Sequence, residues 1–149
     1  MNADRPILLA EDEESDVFWF RRALNKAGIA RPLVSVPDGR EAIRYLLGEE
    51  PFADRTQHPL PALIVLDLKM PIVDGFDVLR WLQTRAELRN VPALVLTSSD
   101  QPADHARAHE LGARGYYVKP GNPAALVSIV QEMNGRWLGP GDAPAAESP

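Results

Sequence analysis

Glu11, Asp12, Asp67, Thr97 and Lys119 are the residues of this 149-residue sequence whose types could do chemistry together. Each stands at or just beyond the end of a short apolar run: Glu11-Asp12 after ILLA, Asp67 after LIVL, Thr97 after ALVL, and Lys119 after YYV. If those runs are strands of one sheet, a single edge holds three carboxylates, a hydroxyl and an ammonium. Crowded carboxylates repel one another and call for a compensating cation. Mg²⁺ suits such a site, because it takes oxygen ligands and keeps several waters. With that ion and Lys119 offsetting the charge, Asp67 would remain an ionised nucleophile. The chemistry then open to it is attack on a phosphoryl group, giving an aspartyl phosphate. Mg²⁺ and Lys119 would neutralise the phosphoryl oxygens, and the Thr97 hydroxyl could donate a hydrogen bond to them.

Taken singly, each residue has a plainer reading. An Asp at a strand end commonly caps a helix or forms a turn. Glu11-Asp12 could likewise cap the following helix, Thr97 follows from β-propensity, and Lys119-Pro120 is ordinary loop punctuation. Their placement on the ends of four different strands is what favours the chemical reading.

The elements that must deliver them can be read from periodicity. Apolar runs at 7–10, 33–36, 63–66, 93–96 and 116–118 are too short for helices and are followed by polar or turn residues. Between them lie stretches with helical spacing: Val17, Phe20 and Leu24 within 15–28; Ala42, Ile43 and Leu46 within 38–48; Val78, Leu79 and Leu82 within 75–86. The last is the clearest, with Leu126, Ile129, Val130, Met133 and Trp137 on one face. The stretch 102–111 offers only Ala103, Ala106, Ala108 and Leu111, which predicts a weakly held helix stopped by Gly112. Alternating strand and helix predicts an α/β domain with a doubly wound parallel sheet. In such sheets ligands bind beyond the carboxyl ends of the strands.

One domain is expected over residues 5–138. Residues 49–61, EEPFADRTQHPLP, read as an unusually long polar connection, and 139–149 as a disordered Pro/Ala/Gly-rich tail. A hydrophobic fraction of 45%, a charged fraction of 25% and no cysteine describe an ordinary soluble chain without a disulfide framework. The net charge of -5 gives no support to nucleic-acid binding. With no apolar leader and no membrane-length apolar run, a cytoplasmic location is expected.

At these residues the chain resembles the receiver domain of two-component response regulators. Four motifs carry the likeness in fixed order: LLAEDE, LDLKMPIVDG, VLTSSD and GYYVKP. The resemblance implies the CheY-like, flavodoxin-like (βα)5 fold with strand order 2-1-3-4-5. It implies Asp67 as phosphoacceptor, Asp12 as a direct Mg²⁺ ligand, Glu11 as a ligand through water, and the backbone carbonyl of Lys69 as a further ligand. Thr97 matches the switch hydroxyl, Tyr116 the switch aromatic, and Lys119 the phosphate-binding lysine. Pro120 matches a proline that follows a cis peptide. Lys69 and Ser99 match positions that tune the lifetime of the phosphoryl group. The implied donor is a histidine kinase, and the implied enzymology is limited to self-phosphorylation and autodephosphorylation.

The 49–61 segment and the lack of an output domain resemble the single-domain regulators that partner bacterial phytochromes, relatives that dimerise through the fourth helix, fifth strand and fifth helix. Phe18, Trp19 and Phe20 are consecutive, so one helix cannot bury all three. If Phe20 faces inward, Phe18 or Trp19 is exposed and available to dock the kinase. His105 and His109 have the i, i+4 spacing of metal-binding helices but lack a third ligand, so a solvated face is expected. Three other functions fit parts of the pattern. A haloacid-dehalogenase-type phosphatase would need an acid two residues after its nucleophile, where Lys69 stands. A phosphate sink or relay intermediate would use the same site, and a phosphorylation-independent interaction module would not need it.

Overall fold

The computed structural model describes residues 5–138; the tail expected over 139–149 lies outside them. Five strands form one parallel sheet: β1 (Ile7–Ala10), β2 (Leu33–Val36), β3 (Leu63–Leu66), β4 (Ala93–Thr97) and β5 (Gly115–Val118), in the order 2-1-3-4-5. Five helices alternate with them: α1 (Glu14–Lys26), α2 (Gly39–Leu47), α3 (Gly75–Leu82), α4 (Pro102–Glu110) and α5 (Pro123–Met133). This is the expected CheY-like receiver architecture.

The three central strands β1, β3 and β4 are buried along their whole length because helices cover both faces. Leu8, Ala10, Ile64, Leu66 and Val95 turn toward α2, α3 and α4, where Ala42, Tyr45, Phe76 and Leu79 complete one core. Ile7, Leu9, Leu63, Val65 and Leu94 turn the other way, toward Phe20 and Leu24 of α1 and Val130 and Met133 of α5. All four residues of β3 are fully buried, and each contributes about 1.5–3 kcal/mol. A polar residue inside that strand would therefore be severe, whereas an acid one residue beyond it reaches the sheet edge.

Helix boundaries follow local chemistry. Asp38 caps α2 by accepting from the Glu41 amide at 2.9 Å, and Asn122 caps α5 through Ala125. Asp74 and Asp77 cap α3 reciprocally. On α4 only Ala108 is buried, and the helix is followed by Gly112 at φ 100. That thin attachment and its stop agree with the sequence.

Two elements differ from expectation. The final helix is α-helical only to Met133 and continues as a wider π turn from Asn134 to Leu138. The widening seats Trp137 over Gly115, where an added Cβ would lie 2.8 Å from the ring. Segment 49–61 is packed rather than merely polar. Phe52 packs against Tyr45 at a tilt at 5.0 Å and His58 edge-on at 6.1 Å, and the Tyr45 hydroxyl donates to the Pro59 carbonyl. Arg55 donates to the carbonyls of Leu46 and His58. Among the described residues no helix is long and apolar enough to cross a membrane.

Candidate functional site

Register brings the acids together. Ala10 is level with Leu66, and Leu66 with Val95, so Glu11 and Asp67 leave neighbouring strands at the same height. The Asp67 amide still donates to the Ala10 carbonyl at 3.1 Å, and the Glu11 amide to Val36. Oxygens of Glu11, Asp12 and Asp67 all lie within 4.8 Å of one another. Glu11 and Asp67 are buried and Asp12 is exposed, so the cluster has one open side.

Lys119 reaches the cluster from beyond β5. Its Nζ lies 2.8 Å from Asp67 Oδ2, 2.8 Å from Glu11 Oε1 and 2.7 Å from Asp16 Oδ2. Burial alone would favour the neutral amine, but hydrogen bonds to Asp16, Asp67 and Glu11 outweigh it and push the lysine pKa up. Glu11 shows the converse. Burial pushes its carboxyl up to about 7, against the opposing bonds from Lys119 and the Glu13 amide. The donor set is all oxygen, so a hard divalent cation fits it.

The expectation of a cis peptide before Pro120 is not met. Among the described residues the cis bond is Glu50–Pro51, and Lys119–Pro120 is trans. Trans is the lower-energy isomer even before proline, and from it the lysine reaches all three acids. The Lys119 amide also donates to the Thr97 carbonyl at 2.7 Å, which ties β5 to the end of β4.

Residues 68–75 wrap Asp67 closely. A Cβ on Gly75 would collide with the Asp67 carbonyl and lie 2.9 Å from Leu68 Cα, so only glycine permits this approach. Ile72 adopts φ 70, which is strained for a β-branched residue. Its neighbours Val73 and Pro71 close a tight turn through a 2.8 Å hydrogen bond. The Lys69 amide donates to Asp67 Oδ1 at 3.3 Å, while the Lys69 side chain is exposed.

Thr97 is fully buried at the end of β4. Past it, the Ser99 hydroxyl donates to Asp104 Oδ2 at 2.6 Å. Tyr116 is half-buried, and its hydroxyl donates to the Ser99 carbonyl at 2.9 Å. His105 is exposed, as expected for a solvated face, yet its ring stacks on Tyr116 at 4.6 Å and 16°. Phe18 and Trp19 are 57% and 40% exposed while Phe20 is buried.

Asp16 was not anticipated. It lies in the first turn of α1, four residues after Asp12, and helical spacing would have placed both acids on one side only if the helix began earlier than Glu14. A cavity of about 280 Å³ between α1 and the loop before α5 is bordered by Asp16, Trp19, Lys119 and Pro120.

Comparison with known proteins agrees with this geometry. The profile of the response regulator receiver domain matches residues 7–131. Response regulator Rcp1 of Synechocystis sp. is 32% identical over 97% of each chain. A crystal structure of its Mn²⁺-bound form superposes with a TM-score of 0.80 at 31% identity, covering 95% of this chain and 99% of that one. The phosphorylated cyanobacterial phytochrome response regulator RcpA gives a TM-score of 0.84 at 31% identity over the same shares. The bacteriophytochrome response regulator AtBRR gives 0.75 at 35%, over 97% and 99%. With the receiver profile matched over residues 7–131 and the same fold shared with these relatives, the chain belongs to the response regulator receiver domain family of two-component signalling.

Proposed function

We propose that Asp67 accepts a phosphoryl group from a histidine kinase and that the modified site alters protein contacts. What supports this reading is the placement of Asp67, buried at the end of β3 with Lys119 at 2.8 Å and two further carboxylates beside it. In the reaction an Asp67 carboxylate oxygen forms a bond to phosphorus. The bond from phosphorus to the donor imidazole breaks, and its electron pair returns to the ring nitrogen.

Asp12 and Asp67 would hold Mg²⁺ directly, with Glu11 through water and the Lys69 carbonyl as a further ligand. When bound, that ion supplies positive charge against the phosphoryl oxygens. Lys119 supplies a second positive charge. Thr97 donates its hydroxyl to a phosphoryl oxygen, and Tyr116 follows the loop that carries Ser99. Lys69 and Ser99 flank the group and tune its lifetime.

Phe18 and Trp19 form the docking surface for the kinase, beside the cavity that opens onto Lys119. The likeness to the phytochrome response regulator RcpA and the bacteriophytochrome response regulator AtBRR favours a phytochrome-type kinase as the donor. Because such a kinase draws its phosphoryl group from ATP, the chain acts in the cytoplasm. Val118, exposed at the end of the edge strand β5, and the adjoining α4 and α5 form a face for a homodimer.

The reading is tested by mixing the protein with a radiolabelled, autophosphorylated bacteriophytochrome kinase and Mg²⁺. Label is expected to move to the wild-type chain and not to Asp67→Asn. Equal labelling of the two would place the acceptor elsewhere.

A further inference from the structure

Lys119 carries three N–H donors; in this structure it donates hydrogen bonds to Asp16 and Asp67 and forms an ion pair with Glu11 at 2.8 Å. Two of those acids, Glu11 and Asp67, belong to the oxygen cluster that fits a divalent cation. The third, Asp16, does not belong to it, and approaches the ammonium from α1 at 2.7 Å. The three partners therefore have different fates. A cation shared by Glu11, Asp12 and Asp67 would compete with the ammonium for two of them. The Asp16 bond is the one that competition leaves intact.

We propose that Asp16 is a positioning residue that anchors Lys119 over the phosphoryl site. This rests on the proposed phosphorylation of Asp67 and adds to it the means by which the lysine stays in place. A lysine ammonium is a point charge on a flexible four-carbon stem, with about 2 kcal/mol of rotamer entropy to lose. One fixed acceptor leaves two donors free, aimed at the Asp67 side, where phosphoryl oxygens would arrive. The backbone supports the same geometry, because the Lys119 amide is held by the Thr97 carbonyl at 2.7 Å.

Asp16 suits the task by its location. It sits in the first turn of α1, where a negative charge is favoured by the helix dipole. Its side chain is 38% exposed, against 18% for Lys119, so solvent reaches the anchor from the side away from Asp67. The cavity beside it, about 280 Å³, brings that side into contact with Trp19 and Pro120. Anything that docks there and displaces the Asp16 carboxylate would free the lysine.

The test measures phosphorylation by acetyl phosphate as a function of Mg²⁺ concentration, in wild type, Asp16→Asn, Asp16→Glu, Lys119→Met and the Asp16→Asn/Lys119→Met double variant. An anchor predicts that Asp16→Asn lowers the rate at saturating Mg²⁺ by about three- to tenfold. The Mg²⁺ concentration giving half the maximal rate should not change, and Asp16→Glu should recover part of the loss. In the Lys119→Met background the same Asn substitution should have no further effect. In metal-free protein the Lys119 ammonium nitrogen should give an exchange-protected NMR signal that Asp16→Asn removes. Equal loss in both backgrounds, an unchanged rate, or a faster one overturns the anchor. If the phosphoryl adduct itself persists in Asp67→Asn, the underlying site reading fails instead, so the two failures are told apart.

Discussion

One ammonium holds three carboxylates that would otherwise repel, and two of those acids are buried. Removing one partner of a buried pair costs more than the pair contributes, because the remaining charge is left unpaired in a low dielectric. Lys119→Met is therefore expected to lower stability by about 2–3 kcal/mol at pH 7.5 without Mg²⁺, below the figure for a wholly buried pair because Lys119 keeps some exposure. Urea unfolding with and without Mg²⁺ measures this. Added Mg²⁺ should restore part of the loss, since it replaces the missing positive charge. Acidification should narrow the gap as well, because a protonated Glu11 no longer carries the charge that Lys119 offsets. Glu11, pushed up to about 7, binds its proton more readily folded than unfolded, so lower pH favours the folded state between that value and the ordinary carboxylate range. An unfolding midpoint equal to wild type without Mg²⁺ would contradict the electrostatic reading.

At the scale of elements, α4 is the weakest attachment. It buries only Ala108, and its other ties are polar or aromatic: His105 on Tyr116, Asp104 with Ser99, and Arg107 over Phe76 at 4.1 Å. Exposed ion pairs and stacks of this kind contribute little each. Amide hydrogen exchange is expected to be at least about tenfold faster in α4 than in α5, which buries Leu126, Val130 and Met133. His105→Ala should accelerate α4 further and leave α1 unchanged. Equal protection of α4 and α5 would contradict the weak attachment of α4.

The thin face of α4 was legible in the sequence because burial there depends on a 3.6-residue spacing of side chains. The strands were legible for a similar reason, each being a short, mainly apolar run followed by a polar or turn residue. What escaped was set by contacts distant in the chain. The aromatic group of Tyr45, Phe52 and His58 needs a loop to fold back on a helix. The His105–Tyr116 stack joins a helix to the following strand, and no spacing rule marks it. The π turn at Asn134–Leu138 answers to Gly115, a residue on another element. The trans bond before Pro120 departs from the family pattern, and nothing local in Lys119-Pro120-Gly121 signals it.

Taken whole, the molecule is a scaffold that brings residues 11, 12, 67, 97 and 119 from four strand ends to one edge. Their types and their order along the chain were enough to expect the acid cluster, and the parallel register explains why they meet. Asp16 was hidden because its role depends on where the Lys119 side chain lands, 103 residues away. The central claim concerns a covalent bond on one side chain, so intact-mass spectrometry tests it most directly. After incubation with acetyl phosphate and Mg²⁺, wild-type protein is expected to gain the mass of one phosphoryl group. The gain should vanish when EDTA removes the metal and in Asp67→Asn. No gain in the wild type, or an undiminished gain in Asp67→Asn, would contradict it.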